Sequence, residues 1–380
     1  MKQKAEQPWT TSYLAALAGP TQNLEFMPQP RSFRAQTVRQ AIRLGRGGST
    51  VRLALSNEFG TEPLVIDEIA LTNARTGDTA TALHTGNPRW EIPDGKTVTS
   101  DSVDLPVRPG DELLIDCFIA GRAAPGSYLH SAQRTAEAAL GNQVGQPQFK
   151  GAEVFASLYW IGRVLVDEPA SGPVIVAIGD SITRGDCTSI DKDQRYPDHL
   201  QRRLLAAGFD DAVVLNAGHG GNRLLRPVAG PAMTDRYARD VLAITEATHV
   251  IILGGTNDIG LPPLLGESRP TPAEIVNGLL ALARRADERG IRPVLATIPP
   301  ILASRYEYFL ADGAEDTRRA VNDALTSQDD WPVIDFAAAL AAPDDPTRLN
   351  PAYDSGDGIH PGDVGAQAMA EAVNLTLFRQ

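Results

Sequence analysis

The 380-residue chain predicts two architectures in series: an all-β, jelly-roll-like sandwich over residues 1–168, then a three-layer α/β/α domain on a parallel sheet over residues 169–380. Three observations predict this. Before about residue 165 apolar residues tend to alternate with polar ones, as in half-buried antiparallel strands. The segment Val166–Pro173, VDEPASGP, has the Pro, Gly and acidic character of a domain boundary. Beyond it, continuous apolar runs alternate with amphipathic stretches, which predicts buried strands joined by helices.

In the first part Val51, Leu53 and Leu55 share one face of a strand, Val103, Leu105 and Val107 one face of another, and Leu113, Ile115, Cys117 and Ile119 one face of a third. Turn chemistry separates such strands, including Arg46-Gly47-Gly48-Ser49 and Pro93-Asp94-Gly95. In the second part strands are expected at Val174–Ile178, Ala212–Asn216, His249–Leu253, Pro293–Ile298 and Pro332–Phe336. A helix is expected to start at Thr271-Pro272-Ala273-Glu274, a capping box with proline at the first helical position, and to stop at Gly290. Another is expected from Tyr196 to Ala207, ending at Gly208. Neither an internal repeat nor a low-complexity tract breaks this pattern.

Composition narrows the function. A formal net charge of -12 opposes nucleic-acid binding, which needs clustered Lys and Arg to displace counterions. No run approaches the roughly 18 apolar residues that span a bilayer. The opening MKQKAEQPWTTSYLAALAGP is too broken and polar for a secretory signal, which leaves an intracellular protein or one whose leader has been removed. Cys117 and Cys187 make no disulfide framework and fit no metal-ligand spacing, although one bridge between them stays open.

The chemistry follows the strand ends. After the expected strands come Gly179-Asp180-Ser181, then Asn216-Ala217-Gly218-His219-Gly220-Gly221-Asn222, then Gly254-Gly255-Thr256-Asn257-Asp258, and last Asp357-Gly358-Ile359-His360-Pro361. In a parallel sheet these loops emerge on one edge. Ser, Gly, Asn, Asp and His are the parts of an acyl-transfer site. Ser181 reads as a nucleophile or as the cap of the next helix. His360 would be its base, oriented by Asp357 through Nδ1. An oxyanion would be met by the backbone N–H groups of Ser181 and Gly221 and by the side-chain amide of Asn257.

GDSIT, NAGHGGNRLL, GGTNDIG and DGIHPGDVG resemble, in order, the four sequence blocks of the SGNH hydrolases, also called GDSL esterases and lipases. The resemblance spans about residues 174–378, and the first block reads GDSI where the family name has GDSL. The stretch around Asn222-Arg223-Leu224-Leu225 is similar to a subgroup of arylesterases and acylhydrolases associated with xylan-degrading bacteria. Arg52–Leu71, with SNEFGTEPL, resembles the β-module that precedes the hydrolase domain in many bacterial members. The resemblance implies a flavodoxin-like domain and a carboxylic ester hydrolase with nucleophile Ser181, acid Asp357, base His360 and oxyanion groups at Ser181, Gly221 and Asn257. It implies neither cofactor nor metal, and a small-molecule or polysaccharide ester as substrate, with acetyl esters of sugars or aryl alcohols foremost.

Two other functions stay in view: a carbohydrate-binding protein with weak or no activity, and a metal phosphoesterase using Asp180 and Asp258, which hydrogen-bonded turn roles fit better. A broader lipase or thioesterase range is the third alternative, opposed by an aromatic content of 6% and the lack of a long apolar lid. Cys187 is expected to be a small, partly buried side chain rather than a nucleophile, and His219 reads as a loop residue or as one that touches substrate. Arg223 is expected to pair with a carboxylate. Tyr306, Tyr308 and Phe309 read as packing or as a pocket wall, and the loops Leu261–Pro270 and Ile301–Gly313 as determinants of acyl size and alcohol identity.

Overall fold

A computed structural model gives the structure of residues 9–20, 24 and 27–379. The chain divides into two compact units, one running to Gly172 and one starting at Pro173.

Among the described residues the first unit has two large antiparallel sheets around one core, with two two-stranded sheets, Leu64–Ile66 with Trp90–Ile92 and Tyr128–Leu129 with Leu158–Tyr159, beside them. One sheet has the order Thr10–Leu14, Ile161–Val166, Gly48–Ser56, Thr97–Thr99, with Val103–Val107 also paired to Gly48–Ser56. The other runs Glu153–Phe155, Ala136–Leu140, Phe33–Arg43, Glu112–Ala123, Glu68–Asn73, Thr79–Thr81. Val51, Leu53 and Leu55 of the first sheet meet Val38, Ile115, Cys117 and Ile119 of the second in a single buried cluster. The Arg46–Ser49 turn thus carries the chain from one sheet to the other. Thr10–Leu14 pairs with Ile161–Val166, so this part of the opening segment closes a sheet edge, while its first eight residues lie outside the described ones. Alternation fails at Asp116, which is buried although it faces away from the core. The Arg39 guanidinium forks onto it at 2.7 and 2.7 Å, the Gly145 N–H donates to it at 2.9 Å, and Phe149 stacks on Arg39, so a loop covers the pair.

Among the described residues the second unit has five parallel strands: β1 (Val174–Gly179), β2 (Val213–Gly218), β3 (His249–Ile252), β4 (Arg292–Ala296) and β5 (Val333–Ile334). Their order is β2-β1-β3-β4-β5, that of flavodoxin-like sheets, with the reversal between β1 and β3 placing a crevice at their carboxyl ends. Every residue of β1 is buried, as its unbroken apolar run demands.

The helices are α1 (Ser181–Arg184), α2 (Tyr196–Ala206), α3 (Met233–Tyr237), α4 (Thr256–Gly260), α5 (Pro262–Leu265), α6 (Pro272–Asp287), α7 (Ala314–Thr326), α8 (Phe336–Leu340) and α9 (Asp363–Ala372). Leu200 and Leu204 of α2, Phe336 of α8 and Met369 of α9 share one core with Ile175, Ala177, Ile251 and Val294 of the sheet. The capping box of α6 is formed: Thr271 Oγ1 accepts from the Glu274 N–H at 3.3 Å, and Glu274 accepts from the Thr271 N–H at 2.8 Å. Such a cap contributes about 1 kcal/mol.

Two strands end earlier than their apolar runs suggest. Asp335 accepts from the Ala338 N–H at 3.0 Å and caps α8, which moves Phe336 from strand to helix. Ile298 leaves the ladder after β4, and its N–H donates to Asn322 Oδ1 at 2.8 Å.

Candidate active site

Ser181 sits at the turn that β1 feeds. Asp180, not Ser181, caps α1: its Oδ1 accepts from the Ile182 N–H at 2.9 Å, and left-handed Gly185 closes the turn onto the Ser181 carbonyl. The serine hydroxyl is therefore uncommitted to the helix. Asp180 is fully buried, and this desolvation, opposed by the Ile182 hydrogen bond, pushes its carboxyl up to about 6.

Asp357 and His360 occupy one tight turn. Asp357 Oδ1 accepts from the Ile359 and His360 N–H groups at 3.0 and 2.8 Å, which leaves Oδ2 for the ring. Gly358 has φ +75°, and a Cβ there would lie 1.8 Å from the Ala303 carbonyl oxygen, so only glycine lets the turn pack on the 301–306 loop. The Arg305 N–H fastens that loop by donating to the Asp357 carbonyl at 2.9 Å.

The fold brings this turn to Ser181 across 179 positions. His360 Nδ1 lies 2.6 Å from Asp357 Oδ2, and His360 Nε2 lies 2.8 Å from Ser181 Oγ. With Nδ1 protonated, Nε2 accepts the serine hydroxyl proton. Burial alone would lower the His360 pKa, but hydrogen bonds to Asp357 and Cys187 and the charges of Asp186 and Asp357 outweigh it and hold it well above 6.5. Burial would likewise raise Asp357, yet its bonds to His360 and Ile359 hold it far below the ordinary carboxylate range.

Gly221 and Asn257 come from the neighbouring strand ends. The Asn222 N–H donates to the His219 carbonyl at 3.2 Å, closing a turn whose third residue, Gly221, has φ +70°, the position that favours glycine in a type II turn. Asn257, in the first turn of α4, donates one amide hydrogen to the Asn222 carbonyl at 3.0 Å, which fixes the plane of its side chain and leaves its second hydrogen.

The family of GDSL-like lipases and acylhydrolases matches residues 177–368, half of the chain. The chain belongs to that family. It is a carboxylic ester hydrolase of the GDSL type. No curated protein matches it. Among solved structures it is similar to a GDSL-like lipase from Bacteroides thetaiotaomicron VPI-5482 (18% identity over 52% of this chain and 84% of that one, TM-score 0.40). It is also similar to an acetyl xylan esterase from Geobacillus stearothermophilus (22% over 53% and 93%, TM-score 0.40) and to an alpha/beta hydrolase from the metagenome of Lake Arreo, Spain (22% over 54% and 94%, TM-score 0.42).

Around these groups the GDSL domain carries supports that motif spacing does not reveal. Arg236, on α3 and 2% exposed, donates to the carbonyls of Gly179 and Ala217 at 2.7 and 2.8 Å, to Asn222 Oδ1 at 2.8 Å and to Asp240 at 2.9 Å. One guanidinium thus ties the carboxyl ends of β1 and β2 to the loop that holds Asn257. Its only signal in the sequence is the i,i+4 Arg/Asp pair of Arg236 and Asp240, which reads as a solvated helix face. Arg236→Met is expected to cost about 3–5 kcal/mol, because three acceptors and part of a buried carboxylate lose their partner. Urea unfolding checks this, and a loss below about 0.5 kcal/mol would show that the buried fork supports nothing.

Asp258 accepts from the Leu224 and Leu225 N–H groups at 2.6 and 3.0 Å, and burial pushes it up to about 6, so it braces the loop after Arg223. Arg223 pairs with Glu267 at 2.7 Å. His219, read as a loop residue, is buried, and its N–H donates to the Gly179 carbonyl at 3.0 Å. Phe309 is buried and lies where any Cβ on Gly260 would fall, while Tyr306 and Tyr308 stack at 5.8 Å and are half-buried.

Cys187 departs from expectation. It is exposed rather than partly buried, and its backbone is left-handed at φ +67°. Its Sγ nevertheless lies 3.8 Å from Asp357 Oδ2. Both cysteines are free.

Proposed function

We propose that this GDSL-type hydrolase is a serine esterase for short-chain carboxylic esters, foremost acetyl esters of carbohydrate or aryl alcohols. The observation that carries the reading is the unbroken hydrogen-bond chain from Asp357 through His360 to Ser181. Ser181 Oγ attacks the ester carbonyl carbon as His360 Nε2 takes its proton. The carbonyl oxygen becomes an oxyanion facing the backbone N–H groups of Ser181 and Gly221 and the second amide hydrogen of Asn257. His360 returns the proton to the departing alcohol, leaving an acyl-Ser181. Water, deprotonated by the same imidazole, then releases the carboxylic acid and restores the serine.

The short-acyl reading takes the 261–270 and 301–313 loops as the determinants of acyl size. The Arg269 guanidinium donates to the carbonyls of Ile259 at 2.9 Å and Asp312 at 2.7 Å, so the 261–270 and 301–313 loops are pinned rather than poised to lift. Among the described residues no helix is long and apolar enough to cross a membrane.

The test is kcat/KM for p-nitrophenyl esters from acetate to octanoate across pH, with and without EDTA. Since a protonated imidazole cannot accept the serine proton, activity should rise with pH, with the acid limb above 6.5 because the His360 pKa is raised. Octanoate should be hydrolysed about tenfold or more less efficiently than acetate, and EDTA should not lower the rate. A profile flat from about pH 5 to 8 removes His360 as base, and a preference for octanoate removes the short-chain assignment.

A further inference from the structure

We propose that Cys187, Asp357 and His360 form an inhibitory site for a soft divalent cation, zinc(II) in the first place. The inference rests on the reading of His360 as the catalytic base. A thiol sulfur, a carboxylate oxygen and an imidazole nitrogen, one from each residue, all lie within 4.8 Å of one another. They come from two loops 170 positions apart, so no spacing in the sequence announces them.

The geometry needs little adjustment. Zinc bonds of about 2.0–2.3 Å in a tetrahedron place ligand atoms about 3.5 Å apart. The Cys187 Sγ to Asp357 Oδ2 separation is 3.8 Å, close to that value. The His360 Nδ1 to Asp357 Oδ2 contact, now 2.6 Å, has to open by about 1 Å. Exposure of Cys187 gives the ion a path from solvent and leaves a fourth position for water.

The charges also balance. Zinc binding releases the thiol proton and moves the imidazole proton from Nδ1 to Nε2, so the thiolate and the Asp357 carboxylate neutralise the 2+ ion while the imidazole stays neutral. A thiolate beside an imidazole favours zinc or cadmium over magnesium or calcium, which prefer oxygen ligands alone. The consequence is loss of activity: the ion replaces the proton shared by Nδ1 and Oδ2 and withdraws electron density from the ring. Nε2, which now carries the ring proton, can no longer accept the Ser181 proton. Cys187 has no step of its own in ester hydrolysis.

The experiment uses the chelator-treated 380-residue chain as wild type, Cys187→Ala, Ser181→Ala and the double variant. Zinc chloride should inhibit wild-type hydrolysis of p-nitrophenyl acetate, EDTA should restore it, and magnesium chloride should have no effect. Cys187→Ala should stay active, with half-inhibition at about tenfold or more higher zinc. Cadmium chloride should give a thiolate-to-metal charge-transfer band in Ser181→Ala and none in the double variant, since Cys117 is buried in the first unit. That band reads the site without turnover, so it stands even if Ser181→Ala keeps full activity and the catalytic reading fails. Absence of the band in Ser181→Ala, or equal zinc sensitivity of wild type and Cys187→Ala, overturns the proposal.

Discussion

Ser181→Ala is expected to lower kcat on p-nitrophenyl acetate by about 10⁵–10⁶, with KM little changed. The hydroxyl contributes no cap and no packing that the fold requires, because Asp180 supplies the cap of α1. Thermal stability should therefore stay near wild type, which separates loss of chemistry from loss of structure. The donors proposed for the oxyanion remain in the variant, so some rate above that of water is expected to survive. A variant within about tenfold of wild type would show that another group attacks the ester.

Asp357→Asn should cost about 10⁴ in kcat. The amide can still accept from the Ile359 and His360 N–H groups and preserve the turn. Its NH₂ facing the ring would require Nδ1 to accept, moving the ring proton to Nε2, where it points at Ser181 rather than receiving a proton from it. Loss of the negative charge also removes part of what raises His360, so the acid limb of kcat/KM should move down toward 6.5. A loss of less than about tenfold with an unmoved limb would reduce Asp357 to a turn former.

What the sequence made legible was whatever depends on neighbours along the chain. The buried run of β1, the capping box at Thr271 and the Asp357–His360 turn are local patterns whose physics is complete within a few residues. The strand order was legible only through the resemblance, which implies a flavodoxin-like sheet, since an apolar strand itself carries no mark of which strand it will pair with. Arg236 was missed because an arginine on a helix normally reaches water, and its burial is decided by Gly179, Ala217 and Asn222, which come from other elements. Cys187 was misjudged for the related reason that exposure is a property of the surrounding loop. Asp335 shortened β5 because a side chain that can cap a helix competed with the strand ladder for its neighbours.

The turn that carries both Asp357 and His360 gives the domain a form of modularity. Acid and imidazole are fastened to one another by the backbone of four residues, and the residues just before them brace this cassette: Asp354 Oδ1 accepts from the Gly358 N–H at 2.9 Å, and the Ser355 N–H donates to the His360 carbonyl at 3.0 Å. Earlier in that connection the Asn350 N–H donates to the Leu340 carbonyl at 2.8 Å, so the excursion over residues 341–349 can change length without changing the relation between the two groups. Only the delivery of the cassette to the serine is exposed to such changes, and there Gly358 and the Arg305 N–H act as the docking pins.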